Sequence, residues 1–228
     1  LTDLPTTRAE LARFIDHTLL KPEATAADIE RLCSEGREYG FFAVCVNPIW
    51  VPRCVELLRG SQTRVASVAG FPLGASATPV KALEARLAVE QGAAEVDMVV
   101  NLAALLAGDK RAVVRDIAAV VAAVKGVNAD ALVKVILETR ALTTTQMVLG
   151  CRCVAEAQAD FVKTSTGFHP AGGATVEHVA LLHRHIAPLP VKAAGGIRTR
   201  VTALAMIEAG AARLGMSTSV AVLRDFRA

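Results

Sequence analysis

Short apolar runs alternate with longer amphipathic segments along the whole chain. Runs at 15–20, 41–46, 64–69, 95–100, 132–137, 161–165, 191–194 and 213–216 predict eight strands. The segments between them carry helix signals. A short leading helix is expected over residues 6–14, with Thr6 or Thr7 as N-cap. Thr25 opens a helix to about Tyr39, which Gly40 ends. Asn47-Pro48 leads into a helix to about Arg59. Thr78 as N-cap with Pro79 at the first helical position begins another, which Gly92 ends. Further helices are expected from about Asp109 to Lys125 and from Thr143 to Gln158, where Thr143 and Gln146 form a capping box. The last three begin at Thr175, at Thr199 (ending at Gly210) and at about Thr218 (ending at Phe226).

Strands separated by helix-length segments pair in parallel through crossover helices. Eight such units in 228 residues close into a single-domain (β/α)8 TIM barrel over residues 1–228, with the leading helix as an extra N-terminal element. An open doubly wound sheet would carry a Gly-x-Gly-x-x-Gly turn after the first strand, and none is there. No linker or low-complexity stretch divides the chain.

Composition narrows the classes. At 53% hydrophobic and 21% charged residues, the chain is that of a globular protein with a large core. No apolar run approaches the ~18 residues of a membrane span. The opening residues lack a basic-then-apolar leader, so a cytoplasmic protein is expected. With net charge +3 and no run of three basic residues, a nucleic-acid partner is not expected. The five cysteines are odd in number and irregularly spaced, which argues against a disulfide framework. Cys151 and Cys153, two apart on a helix, point to different sides, so neither a metal site nor a cofactor is expected.

Lysine is a poor core residue, yet Lys134, Lys163 and Lys192 each interrupt an apolar strand, 29 residues apart. Strand side chains alternate between faces. Phe42, Val44 and Val46 oppose Ala43, Cys45 and Asn47; Val96 and Met98 oppose Asp97; Val133 and Val135 oppose Lys134; Val162 opposes Lys163. The large apolar set should pack under the helices and the polar set should face the barrel lumen. Buried ion pairs would explain one such lysine. Three lysines with Asp97 as the one certain acid leave excess positive charge, which is costly to bury. Lys163, flanked by Lys134 and Lys192 on strands about 4.8 Å away, should have the lowest pKa of the three, through like-charge repulsion and desolvation. A neutral lysine amine attacks carbonyl carbon to form a Schiff base, an electron sink for breaking or making the adjacent carbon–carbon bond. Asp97 and Lys192 are the inward candidates for the accompanying proton relay. Asp16 either orients Lys192 or caps its own strand.

Two turns suit an anionic handle. Ala194-Gly195-Gly196-Ile197-Arg198 and Gly215-Met216-Ser217-Thr218-Ser219 follow strands seven and eight, are rich in backbone amides and hydroxyls, and lead into helices. That is the usual phosphate-binding position of a barrel.

Five stretches carry a resemblance: 15–22 (IDHTLLKP), 95–101 (EVDMVVN), 133–139 (VKVILET), 161–168 (FVKTSTGF) and 191–198 (VKAAGGIR). Through them the chain resembles the 2-deoxyribose-5-phosphate aldolases over nearly its full length. The resemblance implies cleavage of 2-deoxy-D-ribose 5-phosphate to D-glyceraldehyde 3-phosphate and acetaldehyde, with Lys163 forming the Schiff base and Asp97 and Lys192 shuttling protons. It implies that Gly167, Gly195, Gly196, Gly215, Ser217 and Thr218 hold the phosphate, and that the protein is a homodimer or larger. Lys134, Asp16, Cys45, Thr18 and Thr166 are assigned supporting places around Lys163. Met216 and Thr218 depart from the family's usual residues. His169 either reaches a substrate hydroxyl or is a solvated loop residue, and Cys45 is either a thiol open to aldehydes or a small core residue. Two rivals remain: another Schiff-base sugar-phosphate aldolase of the transaldolase type, and a non-catalytic phosphosugar-binding barrel.

Overall fold

Parallel pairing closes eight strands into a barrel in sequential order, with the last strand hydrogen-bonded to the first. The computed structural model describes residues 4–225. Its strands are β1 (Ile15–Leu19), β2 (Ala43–Val46), β3 (Arg64–Ala69), β4 (Glu95–Val99), β5 (Leu132–Ile136), β6 (Phe161–Lys163), β7 (Val191–Ala194) and β8 (Ala211–Met216). The helices are α1 (Arg8–Ala12), α2 (Ala26–Tyr39), α3 (Val51–Leu57), α4 (Thr78–Glu90), α5 (Leu102–Leu106), α6 (Lys110–Val127), α7 (Thr144–Glu156), α8 (Val176–Ile186), α9 (Arg200–Glu208) and α10 (Ser219–Arg224). The TIM barrel expected from the strand–helix alternation is the observed architecture, and α1 is the extra N-terminal helix. No helix among the described residues is long and apolar enough to cross a membrane.

Local chemistry sets most boundaries. Thr7, Thr25, Thr143 and Thr199 each accept from the third helical N–H, with a reciprocal side-chain bond back to the cap. Gly40, at φ 65°, ends α2. Three details differ from the sequence expectation. Thr78 is the first residue of α4 and Ala77 holds the cap position. The Thr78 hydroxyl instead donates to Asp116 Oδ1 at 2.8 Å, because Asp116 and Lys81 form a buried pair between α4 and α6 that draws it in. An unexpected short helix, α5, follows Asn101, whose side chain accepts from the Ala104 N–H. A 3-10 turn over Pro48–Trp50 precedes α3. The last helix ends at Arg224, and Phe226 lies outside the described residues.

The barrel wall has two chemically distinct faces. Val44, Val46, Val96, Met98, Val133, Val135 and Val162 pack outward under the helices in the main core. The lumen holds a small apolar cluster that includes Ala43, Cys45, Ala66 and Val68. It also holds the buried side chains of Asp16, Glu95, Asp97, Lys134, Lys163, Lys192 and Arg213. Phe42, expected under the helices with Val44 and Val46, lies just before β2 and instead packs against the lumen cluster, with the Arg213 guanidinium carbon 3.3 Å from its ring centroid.

Strand stagger decides which lumen residues are level. Lys163 pairs with Lys192 across β6 and β7. On the other side it pairs with Ile136, while Lys134 is level with Asp97 and Phe161. A closed barrel must stagger its strands, so equal sequence spacing does not put the three lysines in one row.

The Lys81–Asp116 pair, 2.7 Å apart and buried, ties α4 to α6. Asp116→Ala leaves the Lys81 ammonium with only the Val99 carbonyl. Urea unfolding should show a loss of about 3–5 kcal/mol, the usual cost of an uncompensated buried charge. A loss below about 1 kcal/mol, the scale of an exposed pair, would mean that Lys81 reaches water.

Candidate active site

Asp97 is the centre of the lumen. Its Oδ1 accepts from Lys134 Nζ at 2.7 Å, and its Oδ2 accepts from both Lys163 Nζ and Lys192 Nζ at 2.7 Å. Lys192 also donates to Asp16 Oδ2 at 2.5 Å. Lys134 lies 2.6 Å from Glu95 Oε2. Arg213 donates to Asp16 Oδ1 at 2.8 Å and to Glu95 Oε2 at 3.2 Å. The contacts close a ring of alternating sign: Asp97, Lys134, Glu95, Arg213, Asp16, Lys192 and back to Asp97. Each cation in the ring bridges two carboxylates. Lys163 is outside it and hangs from Asp97 alone.

The ring corrects two expectations. Three lysines against one certain acid were expected in the lumen, but Glu95 and Asp16 join Asp97 and Arg213 joins the lysines, so three ring cations match three carboxylates and Lys163 is the one cation in excess. The signal was present in the alternation: Glu95 lies two residues before Asp97 on β4, and Arg213 two before Gly215 on β8. Lys134 was expected to flank Lys163, but it sits one layer away and is held by Glu95 and Asp97.

The electrostatics follow. Burial pushes the pKa of Lys163 below the usual lysine value, with Lys192 repelling its charge; the pull of Asp97 does not make up the difference. Burial acts the same way on Lys192 and Lys134 but is outweighed, by Asp16 and Asp97 for Lys192 and by Asp97 and Glu95 for Lys134, so both are raised. Burial would raise Asp97, yet Lys134, Lys163 and Lys192 hold it well below the ordinary carboxylate range. Asp16 is lowered against burial by Lys192, Lys134 and Arg213. A neutral Lys163 therefore leaves an electroneutral ring beneath a free amine. Desolvation leads this shift, and a row of three lysines does not.

Lys163 opens into a cavity of about 330 Å³ at the C-terminal ends of the strands. Thr18, Thr166, Gly167, Gly195, Gly196, Gly215 and Ser217 line it with Lys163, as do Lys21, Phe168 and Arg198, which the sequence did not single out. Asp97, Lys134, Lys192, Asp16 and Cys45 lie below, outside the lining. One lining glycine is required by its backbone and by space, and a second is closely packed. A Cβ on Gly195, at φ 88°, would stand 2.9 Å from Gly173 Cα and 3.1 Å from Gly167 Cα. One on Gly215 would stand 3.2 Å from Lys192 Cε. Thr166 donates its hydroxyl to Glu138 Oε2 at 2.5 Å, and its N–H points to the same carboxylate, which fixes the turn after β6. The Thr18 hydroxyl donates to the Asp16 carbonyl at 2.8 Å.

Other predicted positions fall elsewhere. Thr218 lines a neighbouring cavity with His17, Glu35 and Lys21, and not the one that holds Lys163. His169 lies outside both; its Nδ1 accepts from the Ala171 N–H at 3.2 Å within its own turn. Cys45 is fully buried in the lumen, and burial pushes its thiol up to about 11, which leaves little reactive thiolate near neutrality. Met216 is buried in the outer core and also borders the cavity that holds Lys163, so that departure reaches the cavity wall.

Comparison with known proteins is consistent in kind. Residues 11–225 match the family described as DeoC/LacD family aldolase. The chain is 56% identical over 222 residues to the deoxyribose-phosphate aldolase of Mycobacterium avium, covering 95% of this chain and 97% of the relative. It is 54% identical over 212 residues to that of Brevibacillus brevis, covering 92% and 94%. Among solved structures it is similar to a tetrameric deoxyribose phosphate aldolase from Aeropyrum pernix, at 36% identity and TM-score 0.89, covering 96% and 92%.

The amine of Lys163 reacts only when neutral, so adduct formation with an aldehyde falls as pH drops through its pKa. Lys192→Met removes a repelling cation and leaves Asp97 Oδ2 to Lys163 alone. Both changes raise the pKa of Lys163, and the acid limb should move to higher pH by about one unit or more. The pH dependence of adduct formation measures it; an unmoved limb would assign the whole shift to burial.

Proposed function

The chain belongs to the DeoC/LacD aldolase family, and on that premise we propose that it cleaves 2-deoxy-D-ribose 5-phosphate to D-glyceraldehyde 3-phosphate and acetaldehyde through a Schiff base on Lys163. The observation that carries the assignment is the amine at the cavity floor: one lysine outside a closed charge ring, with a pKa lowered by burial, 2.7 Å from a carboxylate.

The Lys163 amine adds to C1 of the open-chain aldehyde, and loss of water gives an iminium ion. Asp97, held ionised by its lysines, lies against the nitrogen that becomes cationic and stabilises that charge. The iminium takes the electron pair of the C2–C3 bond as the C3 hydroxyl gives its proton to water in the cavity. D-Glyceraldehyde 3-phosphate leaves, and an enamine stays on Lys163. Protonation at C2 and hydrolysis release acetaldehyde and restore the amine. Lys192, hydrogen-bonded to the same oxygen of Asp97 as Lys163, is the nearest acid of the ring for these proton transfers. The phosphate end lies against Gly167, Gly195, Gly196, Gly215 and Ser217, where main-chain N–H groups are not covered by side chains. The tetrameric description of the Aeropyrum pernix relative supports a homo-oligomer, and a small sugar phosphate as substrate supports a cytoplasmic location.

Borohydride reduction in the presence of the sugar phosphate, followed by mass spectrometry, should place one adduct on Lys163; Lys163→Ala should lose it with nearly all turnover. An adduct on Lys134 or Lys192 would overturn the assignment, and no adduct on any lysine would favour a non-catalytic sugar-binding barrel. Ser217→Glu puts a carboxylate beside the anion and should raise KM for the phosphorylated sugar far more than for free 2-deoxyribose. Equal effects on both would place the phosphate elsewhere.

A further inference from the structure

Asp16 points into the lumen, so the next residue of β1, His17, points outward between the barrel and its helices. Neighbouring strands fill that layer with valine, leucine and methionine. His17 is only 4% exposed there, and a buried imidazole needs partners for both nitrogens. It has them. Nε2 lies 2.7 Å from Glu35 Oε2 of α2, and Nδ1 lies 3.0 Å from Ser219 Oγ of α10. Ser219 Oγ is also 3.1 Å from the Met216 carbonyl. His17 and Met216 are partners in the β1–β8 register. The three side chains therefore brace the turn Met216–Ser219 from behind, and the front of that turn, at Gly215, Met216 and Ser217, lines the cavity that holds Lys163.

The other anion-binding turn is braced differently. After β7, the Ala174 N–H donates to the carbonyls of Ala194 and Gly195 at 3.1 Å, and Thr164 bonds to the main chain of Ala194. Main-chain bonds and the single Thr164 hydroxyl hold the β7 turn, whereas a relay of three side chains holds the β8 turn. The Phe41 ring, 4.8 Å from the imidazole centroid, fixes the plane of His17. Burial favours the neutral ring, in which the Nε2–H donates to Glu35 while Nδ1 and the Met216 carbonyl share the single Ser219 hydroxyl proton.

We propose that the Glu35–His17–Ser219 relay is the positioning device for phosphate recognition: it sets the β8 turn that receives the phosphate end of the substrate without any of the three residues touching the reacting atoms. The inference rests on the proposed function, since it needs the phosphate to lie against Ser217. It explains why a polar triad occupies an otherwise apolar layer, and it separates affinity for the phosphate from the chemistry at Lys163.

The test compares KM and kcat for 2-deoxyribose 5-phosphate and for free 2-deoxyribose. In Ser219→Ala and in His17→Phe, KM for the phosphorylated sugar should rise about tenfold, the upper end of what one neutral hydrogen bond supplies. The kcat for that sugar and the KM for free 2-deoxyribose should stay within about twofold. Glu35→Ala should behave like His17→Phe, whereas Glu35→Gln, which still accepts from Nε2–H, should restore the original KM. Amide exchange should quicken at 216–220 in Ser219→Ala and stay unchanged across the lumen strands. If His17→Phe does not fold, Ser219→Ala carries the test by itself. Equal KM values for the two sugars in the unaltered protein would overturn the phosphate reading of the turn. With that discrimination intact, unchanged KM values in Ser219→Ala, or equal rises for both sugars, would overturn the relay alone.

Discussion

Asp97 divides its two carboxylate oxygens among three lysines, and the lumen depends on how that division is completed. Ions removed from water lose several kcal/mol of solvation each, and only close, fully paired geometry offsets the loss. Here every cation of the ring meets at least two carboxylates and every carboxylate meets at least two cations. Every ring carboxylate is already shared, and the one ring oxygen without a hydrogen bond, Glu95 Oε1, faces Arg64 at 3.6 Å. Lys163 is the additional group, and the same burial that makes the ring costly makes its neutral form the favoured one. Its lowered pKa is thus a consequence of a completed ring, not of a deficit in pairing elsewhere.

The barrel supplies the conditions for this ring. Small side chains at Ala43, Cys45, Ala66 and Val68 leave room in the lumen on the side of β2 and β3, and the long side chains of β4 to β8 fill the other side. Gly215 matters for the same reason, since a side chain there would press on Lys192. The glycine-lined cavity lies above, with Lys163 as its link to the ions below. Chemistry and substrate holding are therefore stacked along the barrel axis, and changes in one layer reach the other through few contacts. The His17 relay is one such contact for the upper layer, placed outside the wall where it does not disturb the ring.

Much of this was legible beforehand. The eight strands follow from apolar runs, and the caps at Thr7, Thr25, Thr143 and Thr199 follow from residue types that satisfy free N–H groups within one turn of chain. Thr78 was misread because a competing partner, Asp116, comes from a helix 38 residues away. The short α5 was missed because Leu102–Leu106 has neither the length nor the amphipathic period of a helix signal. Glu95 and Arg213 were overlooked although their alternation with Asp97 and Gly215 was visible, because each begins the polar side of its strand next to a turn. The pairing of His17 with Glu35 and Ser219 joins residues 18 and 202 positions apart, and no local pattern connects them.

Sequence by itself determined the barrel, the faces of the residues within β2, β4, β5 and β6 and the candidacy of Lys163, because these depend on the period of side chains along one segment and on the low tolerance of cores for lysine. Tertiary structure alone decided which charges meet. The stagger that closes eight strands sets Lys163 level with Lys192 and places Lys134 a layer away. Stagger belongs to the closed sheet as a whole, so the equal spacing of the three lysines in sequence gave no measure of their distances in space. Whether a lysine keeps its proton in the lumen is settled by those distances and by burial, and both come into being only when the barrel closes.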